Sequence, residues 1–393
     1  MRRVGAIMLG LLCTVAAVTA PIAHAGAAPP PPRSTVYALG GAYPRIIRLT
    51  HSGTANGTIL ASVNTIQHND GIGVISASAD DGGTWHQIAS IADPAAANGA
   101  QECCASLFEL PSPVGSMPAG TVLWVDGTGY GRNTSVRRVE QRLWASRDHG
   151  VTWKYISDIA DPVNPYPTWE TSLSVSADGQ LVAMYSDETD KTDHDQKLVQ
   201  TRSADGIRWD DYTVTVVSDD WYVRPGMANV VRLPNGTYFM TYEVCNNDLV
   251  HPCAAYHRES ADGWDYGDPT NLGTVIRTTD GKYGRHTPVV AWSAGPGPNG
   301  TILVIPEMTV NADGSVAPEN GKVIFANDDL GAGPWYEIPA PIAVDGVDNA
   351  GCRNFSSSIL PSADGKTVLE AANDFDANGI CETYAATAPL TEP

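Results

Sequence analysis

The sequence is poor in helical signal. Almost nowhere do apolar residues recur at the i, i+3, i+4, i+7 spacing of a helix face, which points away from helical folds. After the first twenty-five residues no run is long and apolar enough to span a bilayer. Basic residues are few, 24 against 44 acids, for a formal charge of −20. Such a surface argues against nucleic acid or an anionic membrane as partner. There is no C-x-x-C, and the nine histidines form no spaced pair. Neither a structural zinc site nor a histidine metal centre is therefore indicated.

Residues 1–25, "MRRVGAIMLGLLCTVAAVTAPIAHA", have the two arginines, apolar stretch and small-x-small ending of a secretory signal peptide. The mature protein is expected to be secreted and extracellular. Losing Arg2 and Arg3 with that leader takes the charge from −20 to −22. Residues 26–36, Pro-rich, read as an unpacked tether, and residues 37–393 as a single domain. Six cysteines remain, an even number that favours disulfides in an exported protein. Cys245–Cys253 closes a short loop, and Cys352–Cys381 pairs if both lie in one sheet. A bridge between the adjacent Cys103 and Cys104 would be strained and rare, so these two are expected to find other partners.

What the chain does contain is a repeated unit of short strands and turns. "VVRLPNGTYFMTYEV" is a hairpin around Pro234-Asn235-Gly236, and "TSLSVSADGQLVAMYSDE" has the same form around Ala177-Asp178-Gly179. "SADDGGTW" at Ser78–Trp85 returns as "SRDHGVTW" at Ser146–Trp153, then decays to "SADGIRW", "SADGW" and "ANDDLGAGPW". The strand-and-turn unit that carries these Asp-box turns recurs with a period of roughly 50 to 60 residues, six times, which predicts an all-β, six-bladed β-propeller. The Asp and Ser would tie the turn, Gly would permit positive φ, and Trp would pack between blades. The motif is thus punctuation between the third and fourth strands of a blade.

That topology sorts the residues by face. Asp boxes and Asn-Gly turns mark the back. Starts of first strands and ends of second strands mark the front, around the channel mouth. First-strand starts carry Tyr43, Arg45, Glu102, Trp169, Glu170, Arg224, Arg285 and Arg353. Second-strand ends carry Asn64, Asp126, Asp187, Glu188, Glu243, Glu307 and Asp374. Two carboxylates stand out. Glu170 opens an inner strand, and Glu243 ends the buried aromatic run "YFMTYE", where desolvation would raise a carboxyl pKa. Lying on adjoining blades, the two could sit about 5–10 Å apart, the span used by glycoside hydrolases.

Asp boxes with the front arginine of "YPRI" resemble the sialidase superfamily. "TWETSLSVSADGQLVAMYSDE", "DQKLVQTRSADGIRW" and "RPGMANVVRLPNGTYFMTYE" are more specific, and together resemble glycoside hydrolase family 93. That family comprises exo-α-1,5-L-arabinanases, six-bladed propellers that release arabinobiose from linear arabinan with retention. The resemblance implies Glu243 as nucleophile and Glu170 as acid/base, with the two roles open to exchange. It implies Arg45, Asp187, Arg224 and Arg285 as hydroxyl-binding residues and Trp169 as a stacking wall. Phe355, in "RNFSSSIL", stands where the family has an aromatic hydroxyl, so Phe355 is expected to line the site without serving as an acid or nucleophile. Tyr283 and Tyr384 are the alternative sources of that hydroxyl, although neither falls at the same place in its unit. An exo-α-sialidase and a non-catalytic carbohydrate-binding propeller are the alternatives.

The expected partner is a polysaccharide or oligosaccharide, bound by a monomer, with no cofactor required. "DFDANGICE", Asp374–Glu382, has the look of a short calcium loop with Asp374, Asp376, Asn378 and Glu382 as oxygen ligands, or simply of a hairpin loop. Thr189–Lys197, "TDKTDHDQK", reads as a solvated front loop, and the Asn-Gly-Thr triplets at Asn56, Asn235 and Asn299 as turns.

Overall fold

Strands buried on both faces read as near-continuous apolar runs, because each blade packs against a neighbour on either side. "VLWVDGTG", Val122–Gly129, is buried at every position, as is "LVAMYSD", Leu181–Asp187. The structure is a computed structural model that describes residues 31–390 apart from 101, 130–136 and 296. The leader and residues 26–30 lie outside the described residues. Among the described residues the strands form six antiparallel sheets, the blades of a propeller, and no helix is long and apolar enough to cross a membrane.

Blade one runs through Gly41–Arg48, Ile59–Gln67, Asp70–Ser78 and His86–Ile91. Blade two uses Glu102–Glu109, Val122–Gly129, Val139–Ser146 and Lys154–Ala160. Blade three uses Thr168–Val175, Leu181–Asp187, Lys197–Ser203 and Asp210–Val216. Blade four uses Arg224–Arg232, Tyr238–Cys245, Ala254–Ser260 and the short Thr274–Val275. Blade five uses Val289–Ser293, Thr301–Ile305, Val323–Asn327 and Tyr336–Pro339, and blade six Ser358–Pro361, Thr367–Phe375 and Cys381–Pro389.

Blade six takes its outermost strand from the other end of the chain. Ser34–Tyr37 pairs with Cys381–Pro389, which closes the ring and places residues 34–36, read as part of an unpacked tether, in a strand. Ser34 donates to the Gly82 carbonyl at 2.7 Å and accepts from the Trp85 indole at 3.2 Å. The Asp box of blade one therefore grips the closing strand. Both full boxes use one set of bonds. Gly82 N–H donates to Ser78 Oγ at 2.9 Å and Thr84 N–H to Asp80 at 2.8 Å. Gly150 to Ser146 and Thr152 to Asp148 repeat these, each at 2.8 Å. Trp85 and Trp153 pack into the cores between blades, as the turn chemistry predicts.

One feature of the inner strands escaped the sequence. Pairing with the second strand slips between Ala42 and Arg45, Cys103 and Ser106, Trp169 and Ser172, and Gly226 and Asn229. At each slip a non-glycine residue adopts positive φ: Tyr43 at 59°, Cys104 at 69°, Glu170 at 58° and Met227 at 60°. Thr287 at 43° and Ser356 at 55° occupy the corresponding stretches ahead of blades five and six. A bulge bends its strand and re-aims the side chain it carries. Strained backbone of this kind concentrates at functional sites.

Candidate active site

The bulge in blade three turns Glu170 toward the mouth. Trp169 pairs with Ser186 across that hairpin, and Gly226 pairs with Glu243 in blade four, so both glutamates sit at the front ends of neighbouring blades. Ser186 Oγ donates to Glu170 Oε2 at 2.8 Å and accepts the Met227 N–H at 3.3 Å. One hydroxyl thus ties the Glu170 carboxyl to blade four. The close approach depends on Gly226, where an added Cβ would lie 2.7 Å from Ser186 Oγ and 2.4 Å from Gln196 Nε2.

The two carboxyls are held differently. Glu170 is recessed in protein with only part of its surface open, and burial pushes it up to about 7. The Ser186 bond and Arg224 oppose that rise, while Glu243 and Glu188 add to it. The effect of Glu243 on Glu170 puts the pair within electrostatic reach. Glu243 Oε2 accepts the Thr287 N–H at 2.8 Å and faces His286 Nδ1 at 3.5 Å. The Asn349 amide lies 2.9 Å from His286 Nε2. If that amide donates to Nε2, Nδ1 carries the imidazole proton toward Glu243, a tautomer assigned from the network.

Four other predicted residues surround this pair. Trp169 donates to Glu188 Oε1 at 3.1 Å, and the Arg137 guanidinium lies 5.6 Å over its ring. Arg224 donates to Glu188 at 2.9 Å, to Gln196 at 2.5 Å and to Asp195. Arg45 is buried, 4.0 Å over the Tyr43 ring, and donates to the Ser356 carbonyl at 2.8 Å and hydroxyl at 2.9 Å. Phe355 lies beside Tyr43, ring centroids 6.1 Å apart. Tyr43 is thus the phenol next to Phe355, and burial pushes it up to about 12. Tyr283 donates to the Val250 carbonyl and Tyr384 to Glu382, so neither serves at that position.

Asp187 requires a correction. Its carboxylate accepts the Tyr212 hydroxyl at 2.6 Å and the Thr189 N–H at 2.7 Å, pinning the outer strand of its own blade rather than facing a sugar. Its chain neighbour Glu188 takes the mouth-side position. Arg285 also differs from expectation. It does not open blade five but lies in Tyr283–Arg285, paired to Ala254 and Met308 beyond the third strand of blade four. Pro288, which has no N–H to give, separates it from the inner strand. Its charge lies near Glu307, a fully buried acid pushed up to about 8 by burial and Glu243, against the pull of Arg285.

Thr189–Lys197 is a packed clamp rather than a solvated loop. Lys191 pairs with Glu188 at 2.8 Å, Lys197 with Asp190 at 2.7 Å, and Asp195 and Gln196 hold Arg224. The charge alternation that suggested solvation is satisfied internally. Cys245–Cys253 and Cys352–Cys381 are disulfides, with Cys352 in the loop before blade six. Cys103 and Cys104 are bonded to each other, which corrects their expected pairing elsewhere. The positive φ of Cys104 belongs to the bulge that the inner strands of blades one to four share, so the local conformation is part of the fold.

Among the described residues two groupings carry metal-type donors. Glu243, Cys245, Cys253 and His286 gather ligand-type atoms within 4.8 Å, but both sulfurs are consumed in a disulfide. The calcium-like loop does not converge either. Asp374 pairs with Arg33 at 2.9 Å, Glu382 accepts from Tyr384 at 2.7 Å, and Asp376 ties its own turn through the Asn378 and Ile380 N–H groups.

Comparison with solved structures fits this geometry. The family 93 α-L-arabinofuranosidase of Fusarium graminearum, in complex with arabinobiose, superposes with TM-score 0.74 at 26% identity, over 91% of this chain and 98% of that one. The α-L-arabinanase of Penicillium chrysogenum, also with arabinobiose, gives TM-score 0.73 at 26% identity over 92% and 98%. The chain is a glycosidase with the fold of family 93. A Trypanosoma rangeli sialidase shares the propeller alone, at TM-score 0.56 and 14% identity over 91% of this chain and 57% of that one. No family model and no curated protein matches the sequence.

Proposed function

We propose that the protein is a secreted, exo-acting glycosidase that cleaves α-1,5-linked L-arabinofuranose chains with retention. The observation that carries this is the division of labour between the two glutamates. Glu170, held protonated toward pH 7 by burial, gives its proton to the glycosidic oxygen. Glu243, steadied by the Thr287 N–H, attacks the anomeric carbon and forms a glycosyl ester. Glu170, now a carboxylate, takes a proton from water as that water opens the ester. Arg45 and Arg224 hold this machinery in place, and the half-buried Trp169 offers its ring as a wall for a sugar.

The likeness to two arabinobiose-bound structures supports arabinan as substrate. A sialidase reading wants three arginines converging on one carboxylate. Here Arg45 is spent on Ser356 and Arg224 on Asp195, Glu188 and Gln196. A lectin-like reading wants one motif repeated in every blade, whereas the bulge position carries a different residue in each. Incubation with debranched arabinan tests the proposal. Arabinobiose should appear with the wild-type protein and vanish with Glu170→Gln and Glu243→Gln. Equal activity of both variants would reject it.

A further inference from the structure

The bulge that presents Glu170 in blade three presents Cys104 in blade two, at the same register and with the same left-handed backbone. Cys104, Tyr43 and Met227 form a buried apolar cluster, with Cys103 and Phe355 half-buried against it. This cluster is separate from the cores that glue blade to blade. It draws on blades one, two and four and the stretch leading into blade six, at the level of the bulges. Tyr43 also lies in the electrostatic field of both Glu170 and Glu243. Met227 N–H donates to the same Ser186 hydroxyl that donates to Glu170, and its chain neighbour Gly226 pairs with Glu243, so the apolar cluster adjoins the carboxylate pair.

A furanose presents carbon-bound hydrogens on its faces and hydroxyls at its edge. Its recognition needs an apolar plate as well as hydrogen-bonding groups. We propose that the Cys103–Cys104 bridge is a specificity-determining contact of this site, a rigid sulfur plate against which the face of the bound sugar packs, completed by Met227 and Phe355. The proposal rests on the glycosidase reading above. Two joined half-cystines suit the task because they carry apolar, polarisable surface with no rotamer freedom left to lose on binding.

The test compares Cys103→Ala/Cys104→Ala with Met227→Ser, which trims the same plate from another blade and leaves the bridge intact. Each should raise KM for arabinan by about tenfold and keep kcat within about threefold. In a Glu243→Gln background, each should weaken arabinobiose binding by a similar factor. Unchanged KM and unchanged arabinobiose affinity in Met227→Ser would overturn the proposal, even if the double variant failed to fold. So would a double variant that lost kcat alone, since that is the mark of a bridge that only staples the bulge. Glu170→Gln and Glu243→Gln separate the two levels. If both glutamates are essential and the plate variants bind normally, only this inference fails. If neither is essential, the glycosidase reading fails first.

Discussion

On the back of the ring Asp80 accepts the N–H and the hydroxyl of Thr84 and the hydroxyl of Ser78, and these bonds hold its carboxyl down to about 2. Asp205 and Asp262 are held below the usual carboxylate range by backbone N–H groups in the decayed boxes. On the front the same functional group goes the other way. Burial lifts Glu170 to about 7 and Glu307 to about 8, and lifts the neighbouring Glu102 and Asp126 well above their ordinary values. The two faces differ in donors. A back-face carboxylate meets several N–H and O–H groups, which favour the anion. These four front-face carboxyls lose water without gaining equivalent partners, which favours the acid. Glu188 is instead held below the usual range because Lys191 and Arg224 outweigh its burial. Glu307 has no hydrogen-bond partner on either oxygen. Anions suit turns, and proton carriers suit hydrolysis.

The largest expected effects break that comparison at the front. Glu243→Gln should lower kcat on arabinan by roughly 10⁴ or more, and Glu170→Gln by about 10² to 10⁴. The Glu170→Gln loss should shrink on an aryl arabinofuranoside whose leaving group needs no proton. Steady-state kinetics on the two substrates checks both. Asp148→Asn, on the back, should leave kcat unaltered. A comparable loss there would erase the functional contrast between the faces.

The pH profile sharpens the contrast by about tenfold per unit. The first step needs Glu170 protonated, and its carboxyl titrates near 7. Below that value the acid form dominates. Above it kcat/KM should fall as the proton is lost, with a limiting slope of about −1 on a logarithmic plot. An activity that rose through pH 7 to 9 would mean that Glu170 acts first as a base.

How much of this was written in the sequence depends on the kind of feature. Asp boxes and hairpin dipeptides are local chemistry, so blade count and the two faces followed from Ser78–Trp85 and its echoes. Glu170 and Glu243 followed from topology, because strand ends are fixed once hairpins are placed. Asp187 was misplaced because which way a strand-end side chain turns is decided by the outer strand, through Tyr212. The bulges left no local mark. Tyr43, Cys104, Glu170 and Met227 share no residue type, and only their similar position in each blade gives them away. Ser34–Tyr37 was hidden because its partner lies at the far end of the chain.

A back-face change should cost stability alone. Asp148→Ala removes the acceptor for the Thr152 N–H at 2.8 Å and the Thr152 hydroxyl at 2.6 Å. The expected loss is about 1–2 kcal/mol. Denaturant titration should show a lower midpoint with an unchanged slope, and kcat should hold.

The smallest effect concerns a carboxyl that belongs to neither group. Glu370, in the second strand of blade six, is fully buried and pushed up to about 8, although one oxygen accepts the Ile342 N–H at 2.8 Å. Below its ordinary value of 4.5 it is protonated in the folded and the unfolded chain alike. Between that value and about 8 the folded state keeps a proton that the unfolded state has lost. Unfolding then releases a proton, so this group's contribution to stability declines as pH rises through that window and levels off above it. Glu370→Gln keeps an acceptor for Ile342 and cannot ionise. Its melting temperature should match the wild type near pH 4 and fall less steeply toward pH 8. Melting curves at several pH values decide the matter, since parallel pH dependences would mean that Glu370 is already ionised in the folded protein. The acid would then have found, inside a blade, the donors that the back-face turns provide and the front withholds.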